Sequence, residues 1–187
     1  MRIFSLRNNQ FAISVAGVSV FRWGGLDTDI AHQIGFEEQY LKFHRYLLEN
    51  LQSVPEENPH YTPRPMALSL RAGAVKAYVV FACSIIEGVL ANWGKNLGVT
   101  DKPEKLAQKP FGALLKAWCV EEGQPRDEIA PIWGELNLLL EYRNFVHLGR
   151  AVASDNAYWQ NILDREKELL RAVDSCFSHL SGLCNGL

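Results

Sequence analysis

The sequence predicts an all-α fold, a bundle of four to five helices, four of them long, with a small β-hairpin or meander at the N-terminus. Three observations carry that expectation. Apolar residues recur at intervals of three and four over most of the chain, the mark of helices with one buried stripe. One segment, Ser69 to Asn96, is apolar on nearly every side and suits the centre of a bundle. The first two dozen residues instead alternate in short runs separated by turn residues. The expected organisation is a β appendage over 1–25 and a single helical domain over 26–187.

Composition sets the bounds. The 187 residues are 48% hydrophobic and 21% charged, near the globular average, which excludes disorder as the main state. A chain of this length buries enough surface to stand without disulfide or metal. Nineteen basic against twenty-one acidic residues give a net charge of −2, with an isoelectric point near 6.2. That excludes a protein whose affinity rests on neutralising many phosphates at once, but not a local basic pocket.

In the appendage, Ile3 to Leu6, Phe11 to Val15 and Val18 to Trp23 are the alternating runs, and Gly24-Gly25 ends them. Phe36, Tyr40, Phe43, Leu47 and Leu51 predict an amphipathic helix over 36–51. Four prolines, at 55, 59, 63 and 65, make Val54 to Met66 an extended connector. The Ser69–Asn96 helix follows, with Gly98 as its stop. Pro103 and Pro110 bracket a helical turn at Glu104 to Gln108, and a helix over Phe111 to Glu121 ends at Gly123, with Gln124-Pro125 as loop. Asp127 is placed to cap a helix that has Pro131 in its first turn and runs to Leu148 before Gly149. Ser154 or Asp155 caps the last helix, whose stripe runs from Trp159 to Leu180.

Cys83, Cys119, Cys176 and Cys184 show no Cys-x-x-Cys spacing, and His179 beside Cys176 does not complete a ligand set. Reduced thiols in apolar helical surroundings and a cytoplasmic setting are expected. No metal site and no cofactor are expected either, since glycine-rich phosphate loops, nucleophile elbows and metal-ligand helices are missing from the sequence. The stretch Ala77 to Gly94 is apolar enough to raise the question of a membrane. Glu87 near its middle costs about 2.5–3.5 kcal/mol in a bilayer, so a buried core helix is the expectation and no membrane partner is assigned.

The constellation with chemical content is Glu141-Tyr142-Arg143-Asn144-Phe145-Val146-His147. On a helix, Arg143 and His147 share one face a single turn apart. A guanidinium grips a phosphate with two parallel hydrogen bonds and offsets charge that builds in the transition state. An imidazole takes a proton from a ribose 2′-hydroxyl near neutral pH. Asn144 adds a donor to the phosphate or fixes the imidazole tautomer. The competing reading is simpler, since cations such as Arg143, His147 and Arg150 near a helix C-terminus are favoured by the helix dipole.

The Arg-Asn-x-x-His run, following a long apolar helix with one internal glutamate (Ser84-Ile85-Ile86-Glu87-Gly88-Val89-Leu90), resembles the HEPN superfamily over about residues 66–182. That superfamily comprises helical bundles of prokaryotic defence and toxin–antitoxin systems. The resemblance implies a metal-independent endoribonuclease working as a homodimer, with two motifs facing each other across a composite cleft. Arg143 matches the motif arginine, Asn144 the polar residue after it and His147 the histidine. Three residues separate Arg143 from His147, against four to six in the family pattern, and a seven-residue step back from His147 lands on Leu140. The site is therefore either a variant in which the helix end bends to bring both groups together, or a degenerate one.

Glu87 is a single carboxylate in an apolar run and needs a partner, because an unpaired buried charge is expensive. It is expected either to pair with Arg143 and orient it, or to bridge to another basic residue. Lys102, Lys105 and Lys109 are read as a solvated edge, Asp164 to Glu168 as an exposed helix face, and Trp118, Trp133 and Trp159 as core or interface. His44 is read as structural. The functional alternatives are an RNA-cleaving HEPN-like domain, a non-catalytic interaction or nucleotide-binding module of the same fold partnered by a nucleotidyltransferase-type antitoxin, or a helical mobile-element protein. The open edges of the appendage, covered by those of a second chain, are a further reason to expect a homodimer.

Overall fold

The computed structural model describes residues 22–50, 65–100, 102–144 and 158–185. They form six α-helices, α1 (Thr28–Asn50), α2 (Pro65–Leu97), α3 (Phe111–Ala117), α4 (Trp133–Asn144), α5 (Tyr158–Asp164) and α6 (Glu166–Asn185). Between these lie 3₁₀ turns at Pro103–Gln108 and Ala130–Ile132, and a hairpin of β1 (Cys119–Glu121) and β2 (Gln124–Pro125). The described chain is thus predominantly helical, with one short two-stranded sheet.

Helix α2 is the axis. Val75, Val79, Ala82, Cys83, Ile86, Val89, Leu90 and Trp93 are buried along it, and α1, α3, α4, α5, α6 and the 103–108 turn all pack on it. Residues 69–97 form a helix long and apolar enough to cross a bilayer, with a mean hydropathy of 1.8 over its most apolar 18 residues; here it is the centre of the bundle. The helix begins at Pro65, four residues before the expected Ser69 and inside the expected proline connector, because proline fits the first turn of a helix as well as a linker. It stops where expected. Gly98 takes the left-handed conformation at φ +64°, its N–H donating to the Lys95 carbonyl and the Val99 N–H to that of Gly94.

Helix α1 starts eight residues before Phe36. Asp27 is its N-cap, with its carbonyl accepting from the Ala31 N–H at 2.9 Å. The buried face is Ala31, Ile34, Glu38, Leu41 and Leu48, while Phe36, Tyr40 and Leu47 are 59%, 46% and 39% exposed. Three of the five residues from which the helix is predicted, Phe36, Tyr40 and Leu47, therefore face outward. Two apolar stripes run along α1, and periodicity cannot say which of them meets the core; a carboxylate within the inner stripe conceals it.

The turn at Pro103–Gln108 agrees with expectation, but α3 ends at Ala117, short of Glu121. Buried Trp118 anchors the change of direction by donating its indole N–H to the Leu90 carbonyl at 3.1 Å. Gly123, at φ +78°, then turns Cys119–Glu121 back onto Gln124–Pro125, and the Arg126 N–H closes the loop on the Trp118 carbonyl. Cys119 is accordingly in a strand, not a helix. Ahead of α4, Asp127 lies in a turn and Ile129 holds the N-cap position of the 3₁₀ turn containing Pro131.

The expected final helix is two, α5 and α6, broken at Arg165. Glu166 does not sit on a solvated face. Arg71 of α2 grips it with a two-pronged fork, Nε to Oε2 at 3.0 Å and Nη2 to Oε1 at 2.6 Å, while Arg71 Nη1 donates to the Leu48 carbonyl of α1. One guanidinium ties three helices. The amphipathic α6 stripe is as expected, with Leu169, Val173, Cys176, Phe177 and Leu180 buried.

Of the expected N-terminal strands, residues 1–21 lie outside the described residues, as do 54–64 of the connector and the Ser154/Asp155 cap. Arg22 is helical and Trp23 sits in a bend, so the end of the third expected strand is not extended. Trp23 is buried edge-on against Phe177, with ring centroids 6.2 Å apart, which draws the start of the described chain onto α6. Gly25 follows so closely that a Cβ there would lie 2.8 Å from the Cys184 carbonyl oxygen.

Gly25→Ala should therefore destabilise the fold by about 1–3 kcal/mol, since a backbone atom cannot swing away. Gly73→Ala, in the interior of α2 with nothing within 4 Å of the new methyl, should stabilise it by about 0.5–1 kcal/mol. Urea unfolding of the two variants should give shifts of opposite sign.

Candidate functional site at the end of helix α4

Leu136, Leu139 and Tyr142 turn one face of α4 into the core, which fixes the rotation of the helix and sends Arg143 toward α2. There it meets Glu87. Arg143 Nε lies 2.8 Å from Glu87 Oε1, and Nη2 donates to Oε2 at 3.1 Å. The lone carboxylate of the apolar helix has Arg143 as its cation. The guanidinium carbon also lies 5.9 Å from the centre of the buried Phe111 ring, a cation–π contact from α3. Three elements thus aim one side chain.

The pair is half-buried, with 19% of the Glu87 side chain and 32% of the Arg143 side chain exposed. Burial pushes the Glu87 carboxyl above its ordinary value, and the Arg143 charge pulls it back only in part. Cys83, one turn earlier on α2, is fully buried. Burial, reinforced by the nearby Glu87 carboxylate, holds its thiol far above the ordinary range, so it is no nucleophile. Cys176 and Cys184 are likewise raised by burial, to about 12 and about 11.

The Nη2 hydrogen bond and the Nε contact, an ion pair without a hydrogen bond, occupy one edge of the guanidinium and leave Nη1 outside them. Asn144, half-buried, is the last residue of α4. His147 lies outside the described residues, as do Phe145, Val146, Leu148 and Gly149. The structure therefore brings together Glu87 and Arg143, with Asn144 next in the chain. Among the described residues no three His, Cys, Asp or Glu side chains gather to hold a metal ion.

Other expected features divide. Trp118 is core, and Trp133 and Trp159 pack against the core partly buried. Lys102 and Lys105 are exposed and Lys109 half-buried. His44 sits in an aromatic cluster with Tyr40 and Phe81, at ring distances of 4.7 and 5.2 Å. Two polar groupings are not apparent from sequence. Asp27 accepts from Lys95 Nζ at 2.9 Å and Asn92 Nδ2 at 2.8 Å, and these bonds, Lys95 first, lower its carboxyl below the ordinary range. Glu38, Arg22 and Arg45 line a cleft between α1, α2 and α6. The two partners of Asp27 are 65 and 68 positions away in the chain, where no local spacing rule reaches.

No family model, curated protein or solved structure matches this chain.

Arg143→Met strips Glu87 of its cation in a half-buried place and should destabilise the fold by about 1–3 kcal/mol at neutral pH. The sign of the pH dependence follows from the raised Glu87 value. A carboxyl held above its unfolded value stabilises the fold when protonated, and that contribution disappears as pH rises through the folded value. Without Arg143 the folded value climbs further, so the deficit against wild type should be larger at pH 7.5 than at pH 4.5. Urea unfolding at both values measures it.

Proposed function

We propose that this chain is a HEPN-like domain that cleaves RNA without a metal ion, using the end of α4 as its phosphate-handling site. The observation that supports this reading is the Glu87–Arg143 fork. It holds a guanidinium at a fixed angle by one edge while a third of the side chain remains open. In this reading Nη1 and the Asn144 amide engage a phosphate oxygen, and Glu87 acts as a positioning residue that touches no substrate. His147 removes the proton of the ribose 2′-hydroxyl. The 2′-oxygen attacks phosphorus, the 5′-oxygen leaves with a proton, and the products are a 2′,3′-cyclic phosphate and a 5′-hydroxyl. A second copy of the chain completes the cleft.

A second reading is favoured by the same fork. Arg143 is already compensated by a carboxylate, which suits a structural ion pair in a non-catalytic interaction module, the partner of a nucleotidyltransferase-type antitoxin. Purified protein incubated with total RNA in chelator separates the two. The nuclease reading expects fragments ending in a cyclic phosphate, with rates falling about 100-fold or more in His147→Ala and in Arg143→Ala. Intact RNA with the wild-type protein sinks it and leaves the interaction module.

A further inference from the structure

With Trp118 fixed to the Leu90 carbonyl, α3 ends at Ala117 and the exposed hairpin takes over. Helix α3, the hairpin and α4 enclose a groove of about 730 Å³. Buried Leu115 is its floor, and half-buried Cys119, Trp133 and Leu140 are its walls. Opposite Leu140, α3 carries no side chain at Gly112. A Cβ there would lie 3.5 Å from Leu140 Cδ2, so the bare position keeps that end of the groove open. The polar groups of the lining are mostly acceptors. Glu121 and Glu122 are exposed and have no hydrogen bond or ion pair among the described residues. Asn137 donates an N–H to the Trp133 carbonyl at 2.7 Å, while its Oδ1 accepts nothing from the described residues. Against the two carboxylates, Lys116 is the single cation among the residues lining the groove.

We propose that this groove binds a small amphipathic cation, an aromatic or aliphatic body carrying one ammonium group. Its volume falls in the range of small-ligand sites, about 300–1,000 Å³, and its walls are apolar with a few polar groups at the rim. The body of the ligand covers Leu115, Trp133 and Leu140. An ammonium has three donors and no acceptor, so it matches a rim of carboxylates and an amide oxygen, and each bond it makes to Glu121 or Glu122 is strengthened by charge. A carboxylate or phosphate head group meets two like charges instead. A linear polyamine satisfies the carboxylates but lacks the apolar body that would take the walls out of water. Neither Glu87 nor Arg143 lines the groove, so the site is independent of the reading of the α4 end and stands whether or not RNA is cleaved.

The test is thermal unfolding of the full chain with tryptamine, phenethylamine or hexylamine at millimolar concentration. At least one of the three should raise the melting temperature by about 2 °C or more. By calorimetry that amine should bind about tenfold or more tightly than the alcohol of the same body, and more tightly than the matching carboxylic acid or spermidine. The double variant Glu121→Gln, Glu122→Gln changes exposed positions and should keep the fold. It should lower the affinity for the amine to that for the alcohol and leave the alcohol unchanged, a split that a general loss of structure does not produce. The inference is overturned if none of the three amines shifts the transition, if the alcohol, the acid or spermidine binds as tightly as the amine, or if the double variant keeps the preference.

Discussion

A helix that is apolar on nearly every side has to be surrounded, and that requirement organises this protein. Covering α2 takes five other helices and a 3₁₀ turn, all drawn from the flanking sequence. Each large side chain removed from water along it contributes about 1.5–3 kcal/mol, far more than the intrinsic preference of any flanking segment for helix. The same requirement explains the position of the candidate site. A helix surrounded by apolar neighbours tolerates a carboxylate at Glu87 only where a neighbour delivers a cation, and α4 delivers Arg143.

Three half-buried ion pairs of the described bundle are made by arginine. Arg71 with Glu166 and Arg143 with Glu87 both engage through two nitrogens. Arg22 meets Glu38 while its guanidinium lies 5.7 and 5.8 Å from the Trp23 and Phe177 rings. The planar, weakly hydrated guanidinium can hold a carboxylate and lie near an aromatic ring at once, which an ammonium cannot do as well. The lysine of Lys95–Asp27, by contrast, works at an exposed position, where strong hydration is no handicap.

What the sequence disclosed followed from rules that act over a few residues. The central helix, its glycine stop, the proline-led turn at 103–108 and the α6 stripe are all set by local spacing, and the structure agrees. That Glu87 needs a cation was legible for another reason, since a lone charge in an apolar run demands a partner, but whether Arg143 or another basic residue supplies it was open. The failures were decisions made at a distance. The face that α1 buries depends on what packs beside it. The hairpin at 119–125 depends on the anchoring of Trp118 under Leu90, and the break at Arg165 frees Glu166 for an arginine 95 positions earlier. The cleft holding Glu38 and Arg45 gave no signal at all, because each residue alone looks like an ordinary surface charge on an amphipathic helix.

The two stripes of α1 have a mechanical consequence. Apolar packing alone barely distinguishes a setting that buries Ile34, Leu41 and Leu48 from one that buries Phe36, Tyr40 and Leu47, because a roll of the helix about its own axis trades one greasy side for the other. What separates them is polar. Only the observed orientation gives Glu38 the cation of Arg22 and the Leu48 carbonyl the donor of Arg71. Oil holds this helix against the bundle, and charge decides which way it is turned.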